Sequence, residues 1–532
     1  MNPLTSLNRC ARTAVLVALA AVGLYAARAS TPPEILATPI TVTLNPSGIA
    51  PLSAVADFNT KLNCLVQVDI QGDVPVRHVE TAFTKTHSVP ILGLYPGRTN
   101  TVILTIWASH GKPETQTLSI ITDPLPGFFP TVTAAASNEG LMEPGMNLFA
   151  FQYSSGGVLR SFPFMADSRG AVRWYLDLSA YGAPCLPLRR LADGNYVFVT
   201  DHAIHEIDPL GKETTPISVP GYTLHDEIIE LPNGNFVAAV DKPGTLIGNT
   251  WGLLPSGRDF MIEVDRAAKT VRREIGLINI LDVDRNEQIG IGQDGDWFHM
   301  NGIAYRASDD SFVVSGRNQA VIRVLGNNNL LWIMAAARGW AESGWPEIGP
   351  YTIFWVLRSL TQAGQATSPP VQGGYQADPT FDWPWGPASP VMLANGNLLV
   401  YDGGYFRFFL DRPPYYSRAV EYAIDEGSNS VRQVWQYGLE RGQELYSPLF
   451  GNVQDLPQTH NRMITAGMNQ GAAGPQARIV EVTYPGNVLV FEAAILFRNL
   501  ASIGTVFGQY DFIQRAVRLT LYPNEPVFVR GN

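Results

Sequence analysis

Residues 228–240 read IIELPNGNFVAAV: an apolar run, a tight Asn-Gly turn, and a second run of β-forming residues. Four more segments share that layout: LRRLADGNYVFV (188–199), IAYRASDDSFVVS (303–315), VMLANGNLLVYD (391–402) and VQDLPQTHNRMITA (453–466). Asp-Gly and Asn-Gly supply the positive φ that a two-residue hairpin turn demands. Each segment is followed by a further pair of strands, as in MIEVDRAAKTVRRE and RIVEVTYPGNVLVFE. Two hairpins per unit make a four-stranded blade, and such units with no long helical pattern between them predict a β-propeller. MADSRGAVRWYLDL (165–178) and QRAVRLTLYP (514–523) supply the two halves of a sixth blade that closes the ring. The expected fold is therefore all-β, with a six-bladed propeller over 135–532; an array of plain β-sandwiches is the competing arrangement.

Upstream, 38–125 carries short alternating strands such as LVQVDIQGD and TNTVILTIWASHG, which predict an N-terminal β-sandwich. DPLPGFFP (123–130) is the expected boundary. At the start, Arg9 and Arg12 precede the apolar run Ala14–Tyr25, and Ala27-Arg28-Ala29 ends it with small residues. That is the layout of a secretory signal peptide over 1–29, which places the mature chain in the periplasm. Cleavage removes three Arg and no acid, leaving 34 basic against 47 acidic residues and a net charge of −13. Such a balance offers no basic field for nucleic acid. No later segment is apolar enough for stable membrane insertion. Cys64 and Cys185 are expected as two buried thiols, and His78, His87 and His110 as surface residues.

The stretch DGDWFHMNGIAYRASDDSFVVSGRNQ (294–319) carries most of the polar chemistry. Trp297, His299 and Asn301 alternate, so a strand points all three one way. Arg317 returns a guanidinium to the same end. Imidazole, carboxamide and guanidinium all donate hydrogen bonds, which suits a tetrahedral oxyanion. The first strand of each propeller blade lines the channel. Reading those strand starts gives His225, His299 with Asn301, Ala388, and Asn452.

At these residues the sequence resembles the bacterial periplasmic aryl-sulfate sulfotransferases. The likeness runs through NPSGIAPLSA (45–54), SRGAVRWY (168–175), HDEIIELPNGN (225–235), DWFHMNGI with SGRNQ, RAVEYAIDE with VWQYG, and RAVRLTLYP. The resemblance implies a six-bladed propeller with an N-terminal sandwich, and transfer of a sulfuryl group from a phenolic sulfate ester to a second phenol. It implies catalytic roles for His225, His299 and Arg317, with Asn301 on the sulfuryl oxygens. No Cys/His spacing fits zinc and no Gly-rich strand–helix element fits a phosphate-bearing cofactor, so neither metal nor cofactor is expected. In the family a further channel histidine, about eight residues before a turn glycine, attacks sulfur. Counting back from Gly396 lands on Ala388, and no histidine lies between His299 and His460. The missing nucleophile leaves three readings: direct transfer with His225 or His299 as base, a different reaction on a small aromatic or anionic substrate, or ligand binding alone.

The insertion Met334–Ser389 is rich in aromatics, Pro and Gly, and Trp383 and Trp385 are its expected substrate contacts, a satellite core being the other reading. Tyr375 and Asp382 are weaker candidates for chemistry. Asp282-Val-Asp284-Arg-Asn286 opens like a calcium loop, but Glu287 and Gln293 break the pattern, so a solvated loop is expected. His460 is expected on a surface turn.

Overall fold

The computed structural model describes residues 35–182, 184–249, 252–285, 294–318, 320–340, 349–499 and 507–523. The leader at 1–29, with Glu287 and Gln293, lies outside them. The chain divides between Leu125 and Pro126 into two units.

The first unit is the expected β-sandwich. Two long strands, Ser53–Ile70 and Val76–Leu92, pair along most of their lengths. The first half of Ser53–Ile70 also pairs with Thr41–Leu44, and its second half with Thr99–Ala108, which carries Glu114–Ile121 at its far edge. The register slips on either side of Cys64, where one set of partners gives way to the other. Alternate residues Ala54, Ala56 and Phe58, then Val66, Val68 and Ile70, are buried, as one-faced strands require. His87 departs from its expected surface position. It is buried, its ring stacks on Phe58 at 4.7 Å, and Nε2 meets Thr60 Oγ1 at 3.1 Å. Cys64 here and Cys185 in the second unit are both buried, and no disulfide joins them.

The second unit is the propeller. Four blades are consecutive in the chain. Blade 2 opens with Leu186–Arg190, blade 3 with Thr223–Glu230, blade 4 with Met300–Arg306 and blade 5 with Pro387–Met392. Blade 6 opens with Gly451–Asp455 and takes Thr131–Ala136 as its outermost strand, antiparallel to Leu489–Leu496. Blade 1 joins Phe512–Leu519, innermost, to Met146–Ser155, Phe164–Ala166 and Val172–Tyr175. The expected two halves of the closing blade are both in it. Innermost strands touch around the whole circle, from blade 1 through blade 6 and back to blade 1. Apolar clusters fill the gaps between neighbouring blades: Val199, Ile228 and Ile262 between blades 2 and 3, and Met334, Leu398 and Val420 between blades 4 and 5.

The glycine-bearing repeated turns hold three residues rather than the expected two. Leu191 N–H bonds Asn195 O at 2.8 Å and Gly194 N–H bonds Leu191 O at 3.0 Å, leaving Ala192–Gly194 as the loop. The Asp193, Asn233 and Asn395 side chains each accept the N–H two residues on, which sets up a type I turn ending in a left-handed residue. Gly194, Gly234 and Gly396 occupy that position with φ between 83° and 96°. Where the repeat lacks glycine, Asp310 (φ 51°) and His460 (φ 53°) take it instead.

Candidate active site

Five of the six innermost strands slip register against their neighbour near the start: between Leu186 and Arg189, Leu224 and Ile228, Met300 and Gly302, Ala388 and Val391, and Ile513 and Ala516. Each slip is a bulge that re-aims side chains otherwise committed to alternation. His225, Asp226 and Glu227 occupy the blade 3 bulge, Asn301 that of blade 4, and Ser389 and Pro390 that of blade 5. Asp226 (φ 38°), His299 (φ 59°), Arg258 (φ 56°) and Ser389 (φ 51°) all hold positive φ, at a cost of order 1–3 kcal/mol each. Such strain persists only where the surroundings over-determine it.

His299 is the hub. Its Nδ1 is bonded to the carboxylate of Asp296, which accepts only, so Nδ1 carries the proton. Nε2 is then an acceptor and takes Arg258 Nη1–H at 3.0 Å. Arg258 Nη1 also donates to Asp226 Oδ2 at 2.8 Å, and its backbone N–H meets Asp241 Oδ1 at 2.5 Å. Arg317 Nη2 lies 3.1 Å from His299 Nδ1, the atom whose proton faces Asp296. Burial first, then the Arg317 guanidinium, push the imidazole down to about 4, against the pull of Asp296. His299 is neutral at pH 7. Burial alone would raise the carboxyls of Asp226 and Asp296. Arg258 overcomes it at the first and the His299 hydrogen bond at the second, so both stay ionised.

Arg317 is nearly buried, and that desolvation lowers its pKa. Its Nε has no hydrogen-bond partner, its Cζ lies 5.4 Å from the Tyr405 ring centroid, and among the described residues no carboxylate pairs with it. His225 is equally open. Nδ1 stands 3.5 Å from Asp226 Oδ2 and Nε2 3.8 Å from Asp241 Oδ1, and neither has a hydrogen-bond partner.

Thus His225, His299 and Arg317 gather around one network. Asn301 sits beside it with partners of its own. Nδ2 donates to Pro387 O at 3.0 Å and Oδ1 accepts from Ser315 Oγ at 2.7 Å, leaving one amide proton uncommitted. Asn452 repeats this at the blade 6–1 boundary, exchanging two 2.8 Å bonds with the backbone of Ala516. Ala388 pairs with Tyr401 and is the last residue in register before its bulge, packed against the blade 5–6 core. Leu224 pairs with Val240, six residues past its turn glycine, and Pro387 pairs with Asp402, six past Gly396. By register, then, Ala388 follows Pro387 as His225 follows Leu224.

Trp383 and Trp385 belong to the blade 4–5 core; their indole N–H groups donate to Val371 O and Asp382 Oδ1. Both also line a small cavity with Arg285, Arg317 and Tyr405. Asp382 is buried between Arg407 and Arg418, so it is not available for chemistry, and Tyr375 is exposed. The expected solvated loop at 282 is instead packed inside: Asp282, Val283 and Arg285 are buried, with the Arg285 guanidinium 5.1 Å from the Trp340 ring. His460 is exposed, as a turn residue should be. The partners that sequence reasoning missed are Asp226, Asp241, Arg258 and Asp296. They bring three carboxylates in among the expected hydrogen-bond donors. Asp226 adjoins His225 in the HDE triplet, and that adjacency was the one available signal.

A family model described as "Arylsulfotransferase (ASST)" matches residues 136–500, and one described as "Arylsulfotransferase Ig-like domain" matches 41–123. Arylsulfate sulfotransferase AssT of Escherichia coli O6:H1 is 25% identical over 513 residues, covering 78% of this chain and 82% of its own. The AssT of Lelliottia amnigena is 25% identical over 510 residues with the same coverage. Among solved structures, a Bacteroides caccae protein of unknown function aligns at 14% identity with a TM-score of 0.40, covering 70% of this chain and 98% of its own.

Proposed function

The chain belongs to the arylsulfotransferase family, and from that premise we propose that it is exported and moves a sulfuryl group between phenols at the mouth of the propeller channel, without a histidine at Ala388. The observation that carries this reading is Arg317. A largely desolvated guanidinium with no carboxylate partner among the described residues, facing the protonated nitrogen of a neutral imidazole, suits an anionic acceptor, and a sulfate-ester oxygen supplies one. Arg258 and the spare Asn301 proton extend the same set of donors. His225 is the better base of the two histidines, because both nitrogens of His299 are engaged. The acceptor phenol gives its proton to His225, with Asp226 and Asp241 beside the imidazolium. The acceptor oxygen bonds sulfur as the donor ester S–O bond breaks, and that electron pair leaves on the donor phenolate. The phenolate then takes the proton from His225.

The alternative is a non-catalytic propeller that holds an aryl or anionic ligand; the methyl group of Ala388 is what favours it. A chromogenic aryl sulfate offered with a phenol acceptor separates the two. Sulfated acceptor, lost in His225→Ala and Arg317→Ala, supports transfer; saturable binding with no product supports the alternative. Ala388→His, with Ser389→His in the adjoining bulge as its companion, tests the missing nucleophile. A labelled sulfo-enzyme in either variant and none in the wild type is the expected result.

A further inference from the structure

We infer that Asp259 is the positioning residue that holds Arg258 and His299 against one another. These two residues come from separate segments, both with left-handed backbone. Direct ties between the segments include Met300 N–H to Arg258 O at 2.8 Å, Gly257 N–H to Gly295 O at 3.1 Å, and Arg258 Nη1 to His299 Nε2 at 3.0 Å. Asp259 adds a further tie from behind. Its carboxylate is fully buried, and Oδ2 accepts both the Trp297 indole N–H at 2.9 Å and the Ser256 hydroxyl. Ser256 lies two residues before Arg258, and Trp297 two before His299. One oxygen thereby clamps the two segments at the same distance from the residues they present.

A buried carboxylate is a costly way to fix two chain segments unless it serves something they carry. Here Oδ1 is buried with no hydrogen-bond partner among the described residues. Burial pushes the carboxyl up to about 6; Ser256 and Trp297 oppose the rise, Asp241 adds to it and His225 opposes it. A neutral side chain would fill this space more cheaply, so the acceptor at Oδ2 is the feature with a use.

The inference rests on the sulfuryl-transfer reading for its kinetic arm alone. Asp259→Ala is expected to lower kcat about 10- to 100-fold, with KM for a chromogenic aryl sulfate changed less than about 3-fold, because misplacement by about 1 Å suffices for such a loss. Asp259→Asn, whose carbonyl still accepts both donors, recovers towards wild type. Trp297→Phe reproduces the Asp259→Ala loss, and the double variant is no worse than either single one. The second arm needs no turnover. Imidazole NMR of the folded full-length protein follows His299, assigned by difference from His299→Gln, and its titration moves upward in Asp259→Ala and Trp297→Phe as Arg258 is released from Nε2. An unmoved His299 titration in both variants overturns the inference whatever the kinetics show. If the wild type transfers no sulfuryl group, the functional reading falls and the NMR arm alone decides the role of Asp259.

Discussion

Two arginine clusters stand within this propeller, and they are built to opposite ends. In blade 5, Arg407 and Arg418 meet Asp382 and Asp402, two charges against two. Arg407 Nη2 bonds both oxygens of Asp402 at 2.9 Å, Arg418 Nε donates to Asp402 at 2.8 Å, and Tyr416 Oη reaches Asp382 at 3.2 Å. All four charged side chains are at most 5% exposed. Asp402 Oδ1 also accepts the backbone N–H groups of Trp385 and Gly404. Little is left to bind. At the channel mouth, Arg258 divides itself between Asp226 and His299, and Arg317 finds no carboxylate among the described residues. A closed set of charges makes scaffold, and an open one leaves donors to spare.

That contrast breaks most easily at its closed end. Asp402→Ala leaves two guanidiniums buried with one carboxylate between them, and stability should fall by about 3–5 kcal/mol. Chemical denaturation checks this; a loss below about 1 kcal/mol would mean that the cluster is not the clamp its geometry suggests. Arg317→Ala should do the reverse. Transfer between phenols falls roughly 10²–10³-fold, while the denaturation midpoint holds or rises, since a desolvated charge without a partner has been removed.

The smallest effect sharpens the comparison through pH. His299 ionises at about 4 in the folded chain, against about 6.5 when unfolded. Because the folded value is the lower, its contribution to stability is present above pH 6.5 and lost as pH falls towards 4. Between pH 7 and pH 5 the loss is about 2 kcal/mol. His299→Gln should flatten that part of the stability–pH curve relative to wild type. Asp259 and Asp511, both pushed up to about 6 by burial, act with the opposite sign and are unchanged in the comparison.

The repeat segments made the ring legible, because each pairs an apolar alternation with a turn whose chemistry is local. His225, His299 and Arg317 were legible for a related reason: strand starts and strand ends of successive blades share one rim. The bulges were not. A register slip leaves the alternation of IIELPNGNFVAAV intact and moves only the residues before it. Arg258 was hidden differently. It lies between the second and third main strands of blade 3, after the hairpin Leu246–Asn249 and Gly252–Pro255, and nothing in its neighbours announces an ion pair 32 residues upstream. His87 misled because a lone polar residue in an alternating strand reads as outward, yet a stacked phenyl ring and a threonine hydroxyl satisfy it inside.

The ring is fastened twice, once by Thr131–Ala136 along the outer edge of blade 6 and once by Phe512–Leu519 facing the channel in blade 1. The second fastening sets a timetable for synthesis. Gln514 Nε2 reaches back to the Asp226 carbonyl and Arg515 to Glu227, so the rim that shapes His225 is unfinished while residue 515 is still inside the ribosome. A nascent chain stalled before that point carries at most five complete blades, and a rim without these two bonds.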